Sequence, residues 1–140
     1  MSHNIVLSNV RYDDLRLLGD VVRDLSKGEA SLVMHRKSFR TYPGQPTDCD
    51  HCIAMPGAHD IGLRRNKGGS YDMIFDPYNM SRVFFAQGTV SNYAAQSFVG
   101  ALAQEYLLRA AEIKAAQSGF STQRIANKNG AVSLVMERAA

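Results

Sequence analysis

The sequence predicts an α+β fold: a mainly antiparallel sheet with two helices packed on one face, in the order β-α-β-(β)-β-β-α-β-β. Three observations carry this. Residues 12–25 and 91–119 repeat apolar side chains every three or four positions, the period of a helix face. The other apolar segments are short and alternate, or are rich in β-branched residues, as strands are. Between them lie turn signals such as NKGG (66–69) and NKNG (127–130), too short for a parallel crossover, so successive strands form hairpins. Strands joined this way, with helices gathered on one face, define the class.

Residues 3–10, HNIVLSNV, read as the first strand. Residues 12–25 follow as a helix with Leu15, Leu18, Val22 and Leu25 on one face. Asp13 and Asp14 suit its positive end, and Gly28 suits its stop. Gly19, mid-helix, costs about 1 kcal/mol against alanine, which a close-packed neighbour would explain. Residues 31–39 read as a strand, and 51–55 as a short one inside a proline-bounded loop. In 60–65, Ile61 and Leu63 alternate with Gly62 and Arg64; in 70–75, Tyr71, Met73 and Phe75 alternate with Asp72 and Ile74. Residues 76–91 have no clear period, yet Phe84 and Phe85 require cover, so a packed loop or short helical turn is expected. In 91–119, one stripe runs through Ala94, Phe98, Leu102, Tyr106 and Ala110, and a second through Ala95, Val99, Ala103, Leu107 and Ala111. Gly119 ends this helix, and 120–126 and 131–137 close as a hairpin about Asn129–Gly130.

The 140 residues form one expected domain, 1–140, able to fold without disulfide or metal. A net charge of +3 is mild, so a nucleic-acid role would need a local patch. No apolar run approaches the roughly 20 residues of a membrane span, and the start is too polar for a signal peptide. Two cysteines make no disulfide framework. The expectation is a soluble, cytoplasmic protein.

Residues 40–76 hold most of the candidate chemistry. Cys49 and Cys52 supply two of the four ligands that a closed zinc site needs, and no second such pair exists. No cofactor is expected; were zinc held, Cys49, Cys52 and His59 would hold it, with His35 as a further histidine and His51 poorly placed between the thiols. A redox dithiol would need a helix after Cys52, and none is predicted. No nucleophile elbow, phosphate loop or HExxH occurs, so no enzyme is expected. Six cations, Arg36, Lys37, Arg40, Arg64, Arg65 and Lys67, flank the loop, and Tyr42 adds an aromatic surface. Brought together, they would bind an acidic protein face or nucleic acid; otherwise they are solvated strand ends.

Four stretches carry a resemblance: the opening MSH before a strand, RTYPGQ at 40–45, HDIGLRRNKGGSYDMIFD at 59–76, and QEYLLRAAEIKAAQSGFSTQRIANKNGAVSLVMER at 104–138. In this order they resemble the uncharacterised family of the chloroplast hypothetical reading frame thirty-five, also named domain of unknown function twelve fifty-seven, found in plastids, cyanobacteria and tailed phages. The resemblance implies no activity and no catalytic residues, and has no counterpart for 77–92 or for the cysteine pair. The functional expectation is a small non-enzymatic binding or adaptor protein, with Arg36, Lys37, Arg40, Tyr42, Arg64, Arg65 and Lys67 facing a protein partner or a second copy. The alternatives are a nucleic-acid binder using the same patch, or a structural component of a larger assembly, with a place in the virion if phage-encoded.

Overall fold

The computed structural model describes residues 4–81, 83–86, 97–129 and 131–138. Five strands, β1 (Ile5–Tyr12), β2 (Ser31–Val33), β3 (His51–Ala54), β4 (Ile61–Arg65) and β5 (Tyr71–Phe75), form one sheet in the order β1-β5-β4-β3-β2. Every pairing is antiparallel, as expected from the hairpin turns. The register places Ile53 opposite Ile61, and Leu63 opposite Met73, so these side chains share one face.

Helix α1 (Leu15–Ser26) lies on that face, burying Leu18, Val21, Val22 and Leu25. The Asp14 carboxylate caps it by accepting the Leu17 N–H at 3.0 Å. Its end wraps as a left-handed turn at Lys27 and Gly28, where the Gly28 N–H donates to the Arg23 carbonyl. Gly19 does have a close neighbour: a Cβ there would stand 3.4 Å from Cδ2 of Leu32 on β2.

The second strand is shorter than predicted, stopping at Val33 rather than 39. His35 takes a left-handed φ of 61° and donates its N–H to His51 Nδ1 at 2.8 Å, which turns the chain off the sheet. Residues 36–40 then cross the face opposite α1. There Phe39 and Cys49 pack with Cys52 and Ile74 in a second, smaller core. Both faces of the sheet are therefore covered, one by helices and one by this strap.

Residues 76–91 partly follow expectation. Asp76 caps a single turn, α2 (Pro77–Met80), whose Met80 is buried. Phe85 packs on Phe98 with ring centroids 5.1 Å apart, but Phe84 is 79% exposed, against the expectation that both are covered. Only one of two adjacent side chains can face the core here. Residues 87–96, including the predicted helix start, Ala94 and Ala95, lie outside the described residues.

Helix α3 (Phe98–Gln117) starts at a Ser97 cap. Its first stripe, Phe98, Leu102 and Tyr106, is buried. The second is not continuous: Val99 is buried but Leu107 is 52% exposed. Helix α3 packs on α1 and β6, and the side bearing Leu107 meets neither fully. The last strands, β6 (Phe120–Ala126) and β7 (Val132–Arg138), pair only with each other, as a two-stranded ribbon separate from the main sheet. A lone ribbon is marginal in water. Here Arg124 ties it to α3, donating to Glu105 at 2.8 and 3.0 Å and to Glu112 at 2.6 and 3.0 Å. No helix among the described residues is long and apolar enough to cross a membrane.

Candidate functional site

The strap across the outer face organises the predicted site residues. Its course follows from two anchors. At one end, the Cys49 N–H donates to the Lys37 carbonyl and the Cys49 thiol to the Arg36 carbonyl at 3.1 Å. At the other, the Asp60 N–H donates to the Arg40 carbonyl. Between them Phe39, 3% exposed, lies flat over Gly62 of β4. A Cβ at Gly62 would stand 2.6 Å from two ring carbons of Phe39, so only glycine admits the ring here. Glycine within a strand often marks such a close approach.

Arg40 is the second lock. Its guanidinium donates twice to the Asp60 carboxylate, at 3.0 and 2.7 Å, and also to the carbonyls of Gly57 and Met55. Asp60, 1% exposed, further accepts the Met55 and Arg40 N–H groups. Burial pushes the Asp60 carboxyl up, but the Arg40 side chain and the two backbone donors outweigh it and hold the group below its ordinary range. Asp60 thus pins the turn that carries Pro56 and Gly57, as well as the end of the strap. The Arg40 side chain is half exposed, but its donors are engaged by Asp60, Gly57 and Met55, so it holds the turn in place. The RTYPGQ and HDIGLRR stretches meet in this one interaction.

The seven predicted binding residues divide along β4. Arg64, Arg65 and Lys67 lie at its C-terminal end and the following turn, Arg64 on the strap side of the strand and Arg65 on the alternate side. The bonds from Cys49 to the carbonyls of Arg36 and Lys37 bring that part of the strap to the same end. Arg64 donates to the Asp48 carbonyl at 2.8 Å and pairs with its carboxylate at 3.3 Å. Arg36 and Arg40 act on the Cys52 thiol and Arg64 on the Cys49 thiol, each against the larger effect of burial. Lys37, Arg65 and Lys67 are exposed. Arg11 of β1 joins this end by donating to the Gly68 carbonyl. Acidic groups are interleaved: Asp48 is exposed, Asp50 accepts the Arg65 N–H at 2.7 Å, and Asp72 accepts from Asn66 at 2.8 Å. Arg40 and Tyr42 lie at the far end of β4, where the Tyr42 ring meets the His59 ring edge-on at 4.5 Å. The sequence does not give the direction in which the strap crosses, so it does not separate Arg40 and Tyr42 from the other five.

The thiols are buried, and burial is the main reason both are pushed up, Cys49 to about 11. They are poor nucleophiles in the folded protein. His59 stacks on Tyr42 and is not gathered with the cysteines; no group of three or more potential metal ligands exists among the described residues. His35, His51 and Tyr71 form a separate row of edge-to-face rings, with centroids 5.0 and 5.3 Å apart. Burial, followed by the nearby His35 and Lys37, lowers the His51 pKa, with Asp50 acting the other way.

The fold and this surface define a small α+β protein with a buttressed, mixed-charge face. The chain belongs to the family described as Protein of unknown function (DUF1257), whose model matches residues 24–135. The match takes in the strap, its Arg40–Asp60 lock and the cationic end of β4. No curated protein and no solved structure matches the chain.

Proposed function

We propose that this protein is a non-enzymatic binding or adaptor protein that recognises an acidic protein surface through Arg36, Lys37, Arg64, Arg65 and Lys67. The observation that carries this is the strap: an ion pair to the buried Asp60 and a glycine-admitted ring fix a mobile type of side chain, cationic and exposed, on rigid backbone. Rigid presentation reduces the ordering cost of binding. Arginine and lysine at the rim of such a surface steer association and fix orientation. The interleaved Asp48, Asp50 and Asp72 favour a protein partner over a nucleic acid. A phosphate backbone is uniformly negative and is repelled by them, whereas a protein surface can match both signs. Arg40 supports the face from behind, and Tyr42 stands at its other end. The resemblance to the chloroplast reading frame, and its occurrence in plastids, cyanobacteria and tailed phages, direct the search for the partner to such hosts.

The test is capture from host lysate on the wild-type chain and on a Lys37→Glu, Arg65→Glu, Lys67→Glu variant of equal thermal stability. A protein retained by the first and lost by the second supports the reading. Retention of the same proteins by both would overturn it. Binding dominated by nucleic acid, with affinity falling by about 0.9 log units per log unit of salt for each duplex phosphate contact, would favour the other reading of the same face.

A further inference from the structure

We propose that the groove between α1 and the outer edge of β2 docks an extended peptide segment, which adds as a further strand beside β2. An apolar side chain of the segment fills the groove, and a neighbouring carboxylate meets Arg16. This surface involves none of the cationic residues of the strap face.

Three features specify that occupant. The first is backbone. β2 is the last strand of the sheet order, so one side of it has no partner strand among the described residues. An unpaired edge is a template for another strand, and edge addition is a general mode of peptide recognition. The second is shape. The groove encloses about 640 Å³, within the range of ligand sites, and its floor includes Leu15, Leu32 and Met34. Met34 is 46% exposed, and its flexible thioether adapts to different apolar groups. Gly19 keeps the helix wall bare: a Cβ there would already touch Leu32 at 3.4 Å, and a larger side chain would extend into the space. The helix therefore carries its least favourable ordinary residue at the position that leaves the groove open.

The third feature is charge. Arg23, on the rim, is held by Asp20 at 3.4 Å and Asp24 at 3.5 Å, on its own helix. Arg16 lines the groove and has no ion-pair partner among the described residues. A carboxylate on the incoming segment supplies one. An amphipathic helix could cover the apolar floor but would leave the β2 backbone unpaired, so the combined features favour a strand.

Random heptapeptides displayed on phage and selected on the full chain provide the probe. The expected consensus has apolar residues at alternate positions and an aspartate or glutamate beside one of them. A synthetic consensus peptide, followed by fluorescence anisotropy, should bind Gly19→Leu at least about tenfold more weakly, because the groove is filled. The thermal midpoint of that variant balances the removed helix glycine against the tighter contact with Leu32, so Arg16→Glu, which leaves that packing alone, supplies the independent readout. Arg16→Glu should weaken binding severalfold, and more than Arg16→Gln does. Amide exchange at Ser31, Leu32 or Val33 should slow when the peptide is added. The proposal is overturned by any of four results: no consensus, a consensus of helical period, equal binding to Gly19→Leu and Arg16→Glu, or no slowing at β2. A wild-type dimer that dissociates in Gly19→Leu would also overturn it, by placing a second copy in the groove.

Discussion

Replacing Gly62 with alanine adds a single methyl group, and the structure indicates what that methyl meets. Its carbon would stand 2.6 Å from Cδ1 and Cε1 of Phe39 and 3.1 Å from Cζ. Carbon contacts are optimal near 3.5–4.0 Å, so the overlap is about 1 Å against a ring that is 3% exposed. If the ring and strap shift together, the cost is that of overpacking, about 1–3 kcal/mol. If the ring leaves its seat, the loss approaches that of truncating a buried phenylalanine, about 3–5 kcal/mol. Alanine recovers about 0.5–1 kcal/mol of backbone entropy. The expected net destabilisation is therefore about 2 kcal/mol, and urea unfolding should show it as a midpoint lowered by about 1 M. Phe39→Ala alone should cost about 3 kcal/mol or more. In that background Gly62→Ala should be nearly neutral, because the methyl now fills space the ring vacated. A coupling of about 2 kcal/mol in this double-mutant cycle is the signature. Additive effects, or a harmless Gly62→Ala, would refute the placement of Phe39 over β4.

Other perturbations have equally definite outcomes. Asp60→Ala removes the acceptor for Arg40 and for two backbone N–H groups and should cost about 2–4 kcal/mol in urea unfolding, while Lys67→Ala should fall within about 0.5 kcal/mol of wild type. His51 has a folded pKa below its ordinary 6.5, so its contribution is complete above that pH and falls away with acid as the unfolded chain gains the proton first. Stability should thus drop as pH falls below about 6.5, and His51→Asn should flatten that step; a wild type whose stability does not change on acidification below that pH would contradict the Nδ1 bond from His35. Asp60, held below 3.8, adds a second loss as pH falls through that region. Cys49, with its pKa near 11, and Cys52 should react with an aromatic disulfide reagent at pH 8 only as the protein opens; immediate modification of both would show exposed thiolates. Arg124→Ala should speed amide exchange across β6 and β7 well before the main sheet, because the ribbon then loses its ties to Glu105 and Glu112.

Much of the fold was legible in the sequence because it is local. Period 3.6 located α1 and the described part of α3, and period 2 with glycine turns located β4, β5, β6 and β7. What stayed hidden is what periodicity does not encode. The run 31–39 reads as one strand with Leu32 and Val33 in its apolar part, yet a left-handed His35, fixed by a bond to a residue sixteen positions away, ends it at Val33. The ribbon β6–β7 pairs apart from the main sheet, a choice made by packing on α3 rather than by either strand's pattern. Leu107 and Phe84 look like core residues by type but sit on sides that nothing described covers. At the site, the cations were identifiable, but the sorting of Arg40 from Arg36 and Lys37 was not. Each is a basic residue near a loop, and only the route of the strap decides which one meets Asp60. One signal was present in the sequence: Gly62 inside an alternating strand marked the place where another part of the chain comes close.

The most direct measurement is the affinity of a partner captured on the wild-type chain, titrated against wild type and against the Lys37→Glu, Arg65→Glu, Lys67→Glu variant at two salt concentrations. A cationic face held by the strap predicts at least about tenfold weaker binding by the variant, with a difference that shrinks as salt rises. Equal affinity for both proteins at low salt, with both folded, would show that the partner binds elsewhere.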